Sequence, residues 1–134
     1  MSKILTLLSG KGGSGKTTIA LSIAAMLANC GMKVLLVDCD LATNGGSYFF
    51  EDLLSNESHK AVSLYDIISG KASTNYHFIR TNNAFDFFPS IAKITKDAIR
   101  ATPSEESKTN WERFEQAIQN KYEVIIYPEL FTII

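Results

Sequence analysis

A glycine-rich segment near the start of the chain, SGKGGSGKTT, constrains the fold more than any other feature of the sequence. The run before it, KILTLL, is typical of a buried parallel strand. After it, residues 17–30 place Ile19, Ile23, Leu27 and Cys30 on one helical face, with Ala20 and Ala24 beside it, and Gly31 follows as a helix stop. Glycines at such a junction let backbone N–H groups converge, and the helix dipole adds positive charge. The segment therefore predicts a strand, an anion-binding loop and a helix.

Residues 10–17 satisfy the phosphate-binding pattern G-x-x-x-x-G-K-[ST]. We expect Lys16 to contact the outer phosphates, Thr17 to bind Mg²⁺ and Thr18 to reach the innermost phosphate. The flanking strand and helix favour this interpretation over a glycine-rich turn that binds nothing. The predicted cofactors are ATP or ADP with Mg²⁺. The predicted nucleotide-binding residues are Gly10, Lys11, Gly12, Gly13, Ser14, Gly15, Lys16, Thr17 and Thr18.

Two aspartates follow the second predicted strand, KVLLVD, which spans residues 33–38. Strand, helix and strand in this order predict a right-handed parallel unit. In a parallel sheet the carboxyl ends of the strands share one edge, so Asp38 and Asp40 are expected to face the nucleotide. Asp38 is then placed to orient water on the metal, and Asp40 to position or deprotonate the attacking water. The alternative is a turn and helix cap built from the same two acids.

Composition limits the classes of partner that the sequence itself supports. The chain has 134 residues, of which 46% are hydrophobic and 20% charged, which predicts one globular domain over residues 1–134. Its net charge is −1 and both signs are mixed along the chain, so no basic patch for nucleic acid or an anionic membrane is visible.

The cysteines, the histidines and the apolar run near the N-terminus together predict an intracellular protein. Cys30 and Cys39 lack metal or redox spacing, and we expect small apolar roles at or near the core in a reducing compartment. The apolar run at residues 4–8 is too short for a signal peptide or a membrane span, which predicts a cytoplasmic location. His59 and His77 have no partners at ligand spacing and are interpreted as surface or packing residues.

The rest of the chain continues the alternation of helix and strand. Ser63 and Asp66 are spaced as a capping box and predict a short helix. The aromatic pairs at residues 49–50 and 87–88 are interpreted as core. The fold class is α/β: a P-loop NTPase-like, mainly parallel sheet flanked by helices and incomplete at its C-terminal end. The further predicted elements are a strand at 84–88, a helix at 91–100, a helix from Thr102 with Trp111, Phe114 and Ile118 as its apolar face, and a strand at 122–127; residues 128–134 are unassigned.

The segments KGGSGKTT and VLLVDCDLATNGGSYFF resemble the deviant Walker A group of P-loop ATPases, the ParA and MinD family. The nitrogenase iron protein and cobyrinic-acid-synthase-like enzymes are related to that group. The resemblance is specific over about residues 3–50 and implies that Lys11 reaches the ATP of a partner subunit across a two-fold interface, in an ATP-bound homodimer. It also implies that Lys16 binds phosphate, Thr17 binds Mg²⁺, Asp38 lies behind the water shell of the metal and Asp40 activates water. The alternative for Lys11 is a solvated loop lysine.

The sequence departs from the family after its last predicted strand. Family members continue with an aspartate and a D-T-P-x-G turn, whereas this chain reads Tyr127-Pro128-Glu129, and Glu129 stands one residue late for a substitute. A truncated chain, a shifted reading frame and a natural short form all remain open. Hydrolysis is therefore expected to be slow or missing. The edge of the first strand is expected to be unpaired, and either to self-associate or to be covered in part by residues 131–134.

The functional interpretation follows from the resemblance. The chain is interpreted as an ATP-binding ATPase of ParA/MinD type that dimerises with ATP to position or partition a cargo. The alternatives are a nucleotide-binding switch or adaptor without turnover, because the second acidic motif is missing, and, more weakly, a biosynthetic amide synthase or kinase. The cargo or regulator is not encoded in any feature that we recognise. DNA or membrane association is compatible with the family, but nothing in the sequence supports it.

Overall fold

The computed structural model describes residues 2–6, 15–38, 63–68, 76, 78–90 and 105–128. Within these ranges the chain forms five strands and three helices. The strands are β1 (Lys3–Thr6), β2 (Val34–Val37), β3 (Ile79–Arg80), β4 (Asp86–Phe88) and β5 (Val124–Tyr127). The helices are α1 (Gly15–Asn29), α2 (Leu64–Ile68) and α3 (Glu105–Lys121).

The strands form one mostly parallel sheet in the order β1-β5-β2-β4-β3. β5 lies between β1 and β2 and is parallel to both, and β4 continues the parallel arrangement beside β2. β3 pairs with β4 in the antiparallel direction. The predicted α/β class with a mainly parallel sheet is therefore confirmed.

The inner strands β2 and β5 are buried along their whole length, as their continuous apolar runs predict. Alternate residues point to opposite faces, so the two strands contribute to two separate cores. Residues of β2 and β5 on the α3 side are Leu35, Val37, Ile125 and Tyr127. Their counterparts on the α1 side are Val34, Leu36, Val124 and Ile126. The described sheet thus has helices on both faces.

Helix α1 ends where the sequence predicts, in a C-terminal cap at Gly31. The Gly31 N–H donates to the Ala28 carbonyl at 2.9 Å and the Met32 N–H donates to the Leu27 carbonyl at 3.3 Å. These two bonds form a Schellman motif, which requires a left-handed residue, and Gly31 has a φ of 88°. The cap returns the chain to the sheet just before β2.

The buried face of α1 differs from the predicted one. Ile23 and Leu27 of the predicted face pack partly buried against the core, but the fully buried positions are Ala20 and Ala24, which were predicted to lie beside that face. Ile19 is 54% exposed, and Cys30 is exposed instead of lying at or near the core. The helix is apolar on almost every side, so its pattern does not select one face. Small alanines allow the helix backbone to approach the sheet closely.

The predicted capping box at the start of α2 is confirmed. Asp66 Oδ2 accepts hydrogen bonds from the Ser63 N–H at 3.0 Å and from Ser63 Oγ at 3.2 Å. The Ser63 carbonyl accepts the Ile67 N–H at 3.2 Å and so begins the helix. These bonds satisfy groups that a helix end otherwise leaves unpaired.

Helix α3 packs its predicted apolar face on the sheet. Phe114 and Ile118 are fully buried, and Trp111 packs against the same cluster. The Phe114 ring lies 4.4 Å from that of Phe88, centroid to centroid, within a group of aromatic contacts that also includes Tyr76. The aromatic pair Phe87 and Phe88 is fully buried, as expected.

The sequence did not predict β3 or the hairpin that joins it to β4. In that turn the Thr81 N–H donates to the Phe85 carbonyl at 3.0 Å, and Ala84 has a φ of 66°. The signal was present as Asn82-Asn83, because asparagine is favoured in tight turns. The strand predicted at 84–88 is shorter, since residues 84 and 85 belong to the turn.

Strand β1 is parallel as predicted but is not buried. All four of its residues are exposed, with Ile4 at 48% and Leu5 at 38%. β1 pairs with β5 on one side, and among the residues that the structure describes nothing pairs with its other side. Within this part of the chain the expected unpaired apolar edge is present.

Several predictions concern residues outside the described ranges. These are Cys39, the helix at 91–100, His59, His77, the aromatic pair at 49–50 and the tail from residue 129. Among the described helices, none is both long and apolar enough to cross a membrane.

Candidate nucleotide-binding site

The amino end of α1 lies at the carboxyl edge of the sheet. β1 runs towards this edge, and α1 begins there at Gly15 and runs back. β2 then runs towards the same edge, because β1 and β2 are both parallel to β5, which lies between them. The first turn of α1 has no acidic residue. Its free N–H groups and the positive end of the helix dipole therefore favour an anion without competition from a carboxylate in that turn.

The predicted phosphate-binding residues are only partly within the described chain. Gly15, Lys16 and Thr17 occupy the first turn of α1. Thr18 follows them and is exposed, and its carbonyl accepts the Ser22 hydroxyl at 3.0 Å. Residues 10–14, which include Lys11, lie outside the described residues.

Asp38 stands at the same edge, directly after β2. It is 3% exposed, and its N–H donates to the Phe88 carbonyl at 2.9 Å. Its Oδ2 accepts a hydrogen bond from Ser90 Oγ at 3.0 Å. Asp38 therefore lies at the edge of the sheet where α1 begins, and its role towards nucleotide and metal stays a prediction. Asp40 and Glu129 lie outside the described residues.

Ser90 is a residue of this edge that the sequence analysis missed. It is fully buried and follows β4 and Pro89, so it reaches the same carboxyl edge as Asp38. Its carbonyl accepts the Tyr65 N–H at 2.8 Å, and the Pro89 carbonyl accepts the Leu64 N–H at 3.1 Å. A polar residue directly after an apolar strand was the available signal.

The donor set at this edge fits Mg²⁺ bound together with a nucleotide. Among the described residues, no group of three or more histidine, cysteine, aspartate or glutamate side chains is arranged to hold a metal alone. Mg²⁺ commonly keeps several waters and takes one or two protein oxygens plus phosphate oxygens. A buried carboxylate with one oxygen fixed by a hydroxyl, at the edge where α1 begins, is compatible with that arrangement.

The opposite edge of the sheet carries a different polar cluster. The Tyr122 hydroxyl donates to Asp86 Oδ2 at 2.6 Å, and Arg80 Nε lies 3.0 Å from Asp86 Oδ1. Burial, and then the hydrogen bond and charge of Asp86, raise the pKa of Tyr122 well above its ordinary value. These residues stand at the amino ends of β4 and β5, away from the start of α1. We therefore interpret this pKa shift as structural, because paired networks also perturb ionisation.

A protein-family model described as an AAA domain matches residues 2–129, almost the whole chain. Among curated proteins, the chain is 34% identical over 97 residues to the septum site-determining protein MinD of Neisseria meningitidis, covering 72% of this chain and 34% of that protein. It is 31% identical over 94 residues to the chromosome partitioning protein ParA of Caulobacter vibrioides, covering 69% and 34% of the two chains.

Among solved structures, the chain resembles cobyrinic acid a,c-diamide synthase from Mycobacterium smegmatis, which was solved with a bound ATP analog and magnesium. The identity is 25% and the TM-score 0.69, over 96% of this chain and 51% of the synthase chain. The chain thus spans about a third of the length of the curated relatives and about half of this structural neighbour. With the family match, the mostly parallel sheet and the phosphate-loop pattern together, the chain belongs to the AAA domain family, as a P-loop ATPase of the ParA/MinD type.

Proposed function

We propose that residues 1–134 form a single nucleotide-binding domain that binds ATP or ADP with Mg²⁺ at the carboxyl edge of its sheet. The observation that carries this proposal is that α1 begins within the glycine-lysine pattern, at the same edge as the buried carboxylate of Asp38. The ATP analog and magnesium in the solved synthase support it by analogy. Parallel sheets bind ligands at this edge, where helix amino ends meet the strand ends.

The roles of individual residues form part of the same proposal. The backbone of residues 10–15 and Lys16 hold the phosphates, and Thr18 contacts the innermost phosphate. The hydroxyl of Thr17 and, through water, the carboxylate of Asp38 hold Mg²⁺, which neutralises phosphate charge when it is bound. Asp40 orients the attacking water.

The binding proposal is tested by calorimetric titration with ADP and Mg²⁺. Lys16→Ala removes a charge-assisted contact to phosphate, so we expect the affinity to fall about tenfold to a hundredfold. Lys33→Ala is the matched control, because Lys33 is an exposed lysine just before β2, at the opposite edge. Equal affinity of Lys16→Ala and the wild type would refute the assignment of this edge.

We further propose that ATP drives formation of a homodimer, in which Lys11 contacts the nucleotide of the partner subunit, and that the dimer positions or partitions a cargo. The similarity to MinD and ParA supports this function by analogy. Lys11→Ala is then expected to keep the nucleotide affinity of the monomer but to lose dimerisation. Sedimentation with a non-hydrolysable ATP analogue measures this. A variant that dimerises like the wild type would make Lys11 an ordinary loop residue.

A second candidate function is a nucleotide-dependent switch or adaptor without turnover. It is favoured by the sequence after β5, where Tyr127 and Pro128 replace the expected aspartate. Loss of one group that organises the metal and water commonly slows phosphoryl transfer a hundredfold or more, which corresponds to an increase of about 3 kcal/mol in the activation free energy. Phosphate release, with Lys16→Ala as the control, separates the two functions. Turnover of about one per second or faster that depends on Lys16 would favour the ATPase.

A further inference from the structure

Ser90 contacts the side chain of Asp38 at the carboxyl edge, although 52 residues separate them in the sequence. Ser90 Oγ donates to Asp38 Oδ2 at 3.0 Å. Ser90 is fully buried, and Asp38 is 3% exposed. A hydrogen bond from a hydroxyl to a carboxylate is stronger than one between neutral groups, and shielding from water strengthens it further. The contact therefore restricts the carboxylate more than a surface bond would.

The segment Phe88-Pro89-Ser90 holds Asp38 at two points. The Phe88 carbonyl accepts the Asp38 N–H at 2.9 Å, which fixes the backbone where β2 ends. Ser90 Oγ fixes the side chain of the same residue from two positions further on. With its backbone and one carboxylate oxygen both held, Asp38 is restricted to a narrow range of orientations.

Helix α2 in turn holds this segment in place. The Leu64 N–H donates to the Pro89 carbonyl at 3.1 Å and the Tyr65 N–H donates to the Ser90 carbonyl at 2.8 Å. Both donors belong to the first turn of α2. The start of this capped helix therefore holds Ser90, which in turn holds Asp38. The resulting chain of contacts runs from α2 through Ser90 to the end of β2.

We propose that Ser90 is a positioning residue that orients the Asp38 carboxylate for Mg²⁺ bound with nucleotide. The inference rests on the proposed nucleotide site and deepens it. Loss of a residue that orients a direct metal ligand commonly costs about tenfold to a hundredfold in metal affinity, and because Asp38 would reach Mg²⁺ through water, we expect the effect of Ser90 near the lower end of that range. The role of Ser90 is to fix an orientation, and it has no contact of its own with the nucleotide.

The test compares ADP affinity in excess MgCl₂ and in EDTA, measured by calorimetry, and takes the ratio as the Mg²⁺ gain. Ser90→Ala is expected to reduce that gain about tenfold or more while leaving the affinity in EDTA close to that of the wild type. Ser63→Ala is the matched control. Ser63 is also a buried serine whose hydroxyl donates to an aspartate Oδ2, at 3.2 Å to Asp66, so Ser63→Ala measures how much of the loss arises from weakening the start of α2 alone.

Two further variants separate positioning from a structural role. Ser90→Cys keeps the side chain close to its original size but offers a weak donor, so it is expected to lose part of the Mg²⁺ gain, and it serves as the test if Ser90→Ala does not fold. If Ser90 acts through Asp38, adding Ser90→Ala to Asp38→Asn causes no further loss of Mg²⁺ gain.

The outcomes distinguish this inference from the function on which it rests. A wild type that does not bind ADP in either condition overturns the nucleotide site and the inference with it. A wild type with a clear Mg²⁺ gain that both Ser90 variants retain overturns the role of Ser90 alone. Additive losses when Ser90→Ala is combined with Asp38→Asn would assign Ser90 a purely structural role.

Discussion

Strands β1 and β2 both carry apolar side chains, Ile4 and Leu5 in KILT and all four residues of VLLV, but they have very different surroundings. Every residue of β2 is buried to 2% exposure or less, whereas Ile4 and Leu5 of β1 are 48% and 38% exposed. β2 has a neighbouring strand on each side, while β1 has β5 on one side and no described partner on the other. Apolar side chains therefore indicate that a strand can be buried, but whether it is buried depends on the strands and helices that pack around it.

Helices α1 and α3 differ in the same way. α3 buries Phe114 and Ile118 and presents charged and polar side chains outwards. α1 packs through Ala20 and Ala24 and leaves Ile19 and Met26 more than half exposed. We call β2, β4, β5, α2 and α3 the closed region, and β1 with α1 the open region. The open region includes the start of α1, where the phosphate-binding site is proposed.

The largest expected effect is on stability in the closed region. Phe114→Ala removes a fully buried ring, 4.4 Å from the Phe88 ring, and leaves a cavity beneath α3. We expect it to lower the free energy of unfolding by about 3–5 kcal/mol. Ile4→Ala in the open region removes a half-exposed side chain, and we expect a loss of less than about 1.5 kcal/mol. Urea denaturation measures both.

This pair of variants tests directly whether the two regions differ in burial. If Ile4→Ala costs as much as Phe114→Ala, then β1 is covered in solution and the two regions are equally closed. If neither substitution matters, the aromatic cluster around Phe114 is not the main core of the domain. Unchanged m values are needed for the comparison, because they indicate that both variants unfold from an equally compact state.

The next effect concerns association through the edge of β1. An exposed apolar strand edge is a template for pairing with another chain, and a lysine on such an edge commonly prevents this. We expect the wild type to self-associate as concentration rises and Leu5→Lys to shift it towards monomer in sedimentation. Met26→Lys is the matched control, because it adds the same charge on the exposed surface of α1. A wild type that stays monomeric would favour the alternative that residues 131–134 cover the edge.

Local patterns predicted the closed region well. The buried strands β2 and β5, the capping box of Ser63 and Asp66 and the apolar face of α3 all follow from spacing and hydrophobicity. The cap at Gly31 also followed, because a Schellman motif requires a residue that tolerates positive φ. In each case the deciding contacts lie within a few residues of chain or along one regular element.

The features that were missed depend on contacts distant in sequence. The exposure of β1 is set by its strand neighbours, which its own residues do not reveal. The buried face of α1 is set by how close the helix lies to the sheet, which favours Ala20 over Ile19. At the candidate site, the position of Asp38 was predictable from strand order. Its bond to Ser90 was not, because it joins the ends of two strands that are adjacent in the sheet and far apart in the chain.

The smallest expected effect is a pH-dependent change in stability at the outer surface of α3. Glu115 of α3 lies partly buried beside Trp111, and burial raises the pKa of its carboxyl above the ordinary value, with a smaller upward contribution from Glu112 and an opposing hydrogen bond from Trp111. The folded state then binds more protons than the unfolded state between the ordinary and the raised pKa. Stability attributable to Glu115 therefore falls as pH rises through that interval and stays at its lower value above it.

Glu115→Gln removes this cost of holding a charge. We expect the variant to unfold at a slightly higher urea midpoint than the wild type at neutral pH, and the difference to shrink as pH falls below the ordinary glutamate pKa of about 4.3. Glu105→Gln, at the exposed start of α3, is the control for the loss of one negative charge. A gain that is independent of pH, or one that Glu105→Gln shares, would mean that the outer surface of α3 is as well solvated at Glu115 as at its exposed end. In that case the surface shielded from water on α3 would include the Phe114 ring but not the part of Trp111 that contacts Glu115.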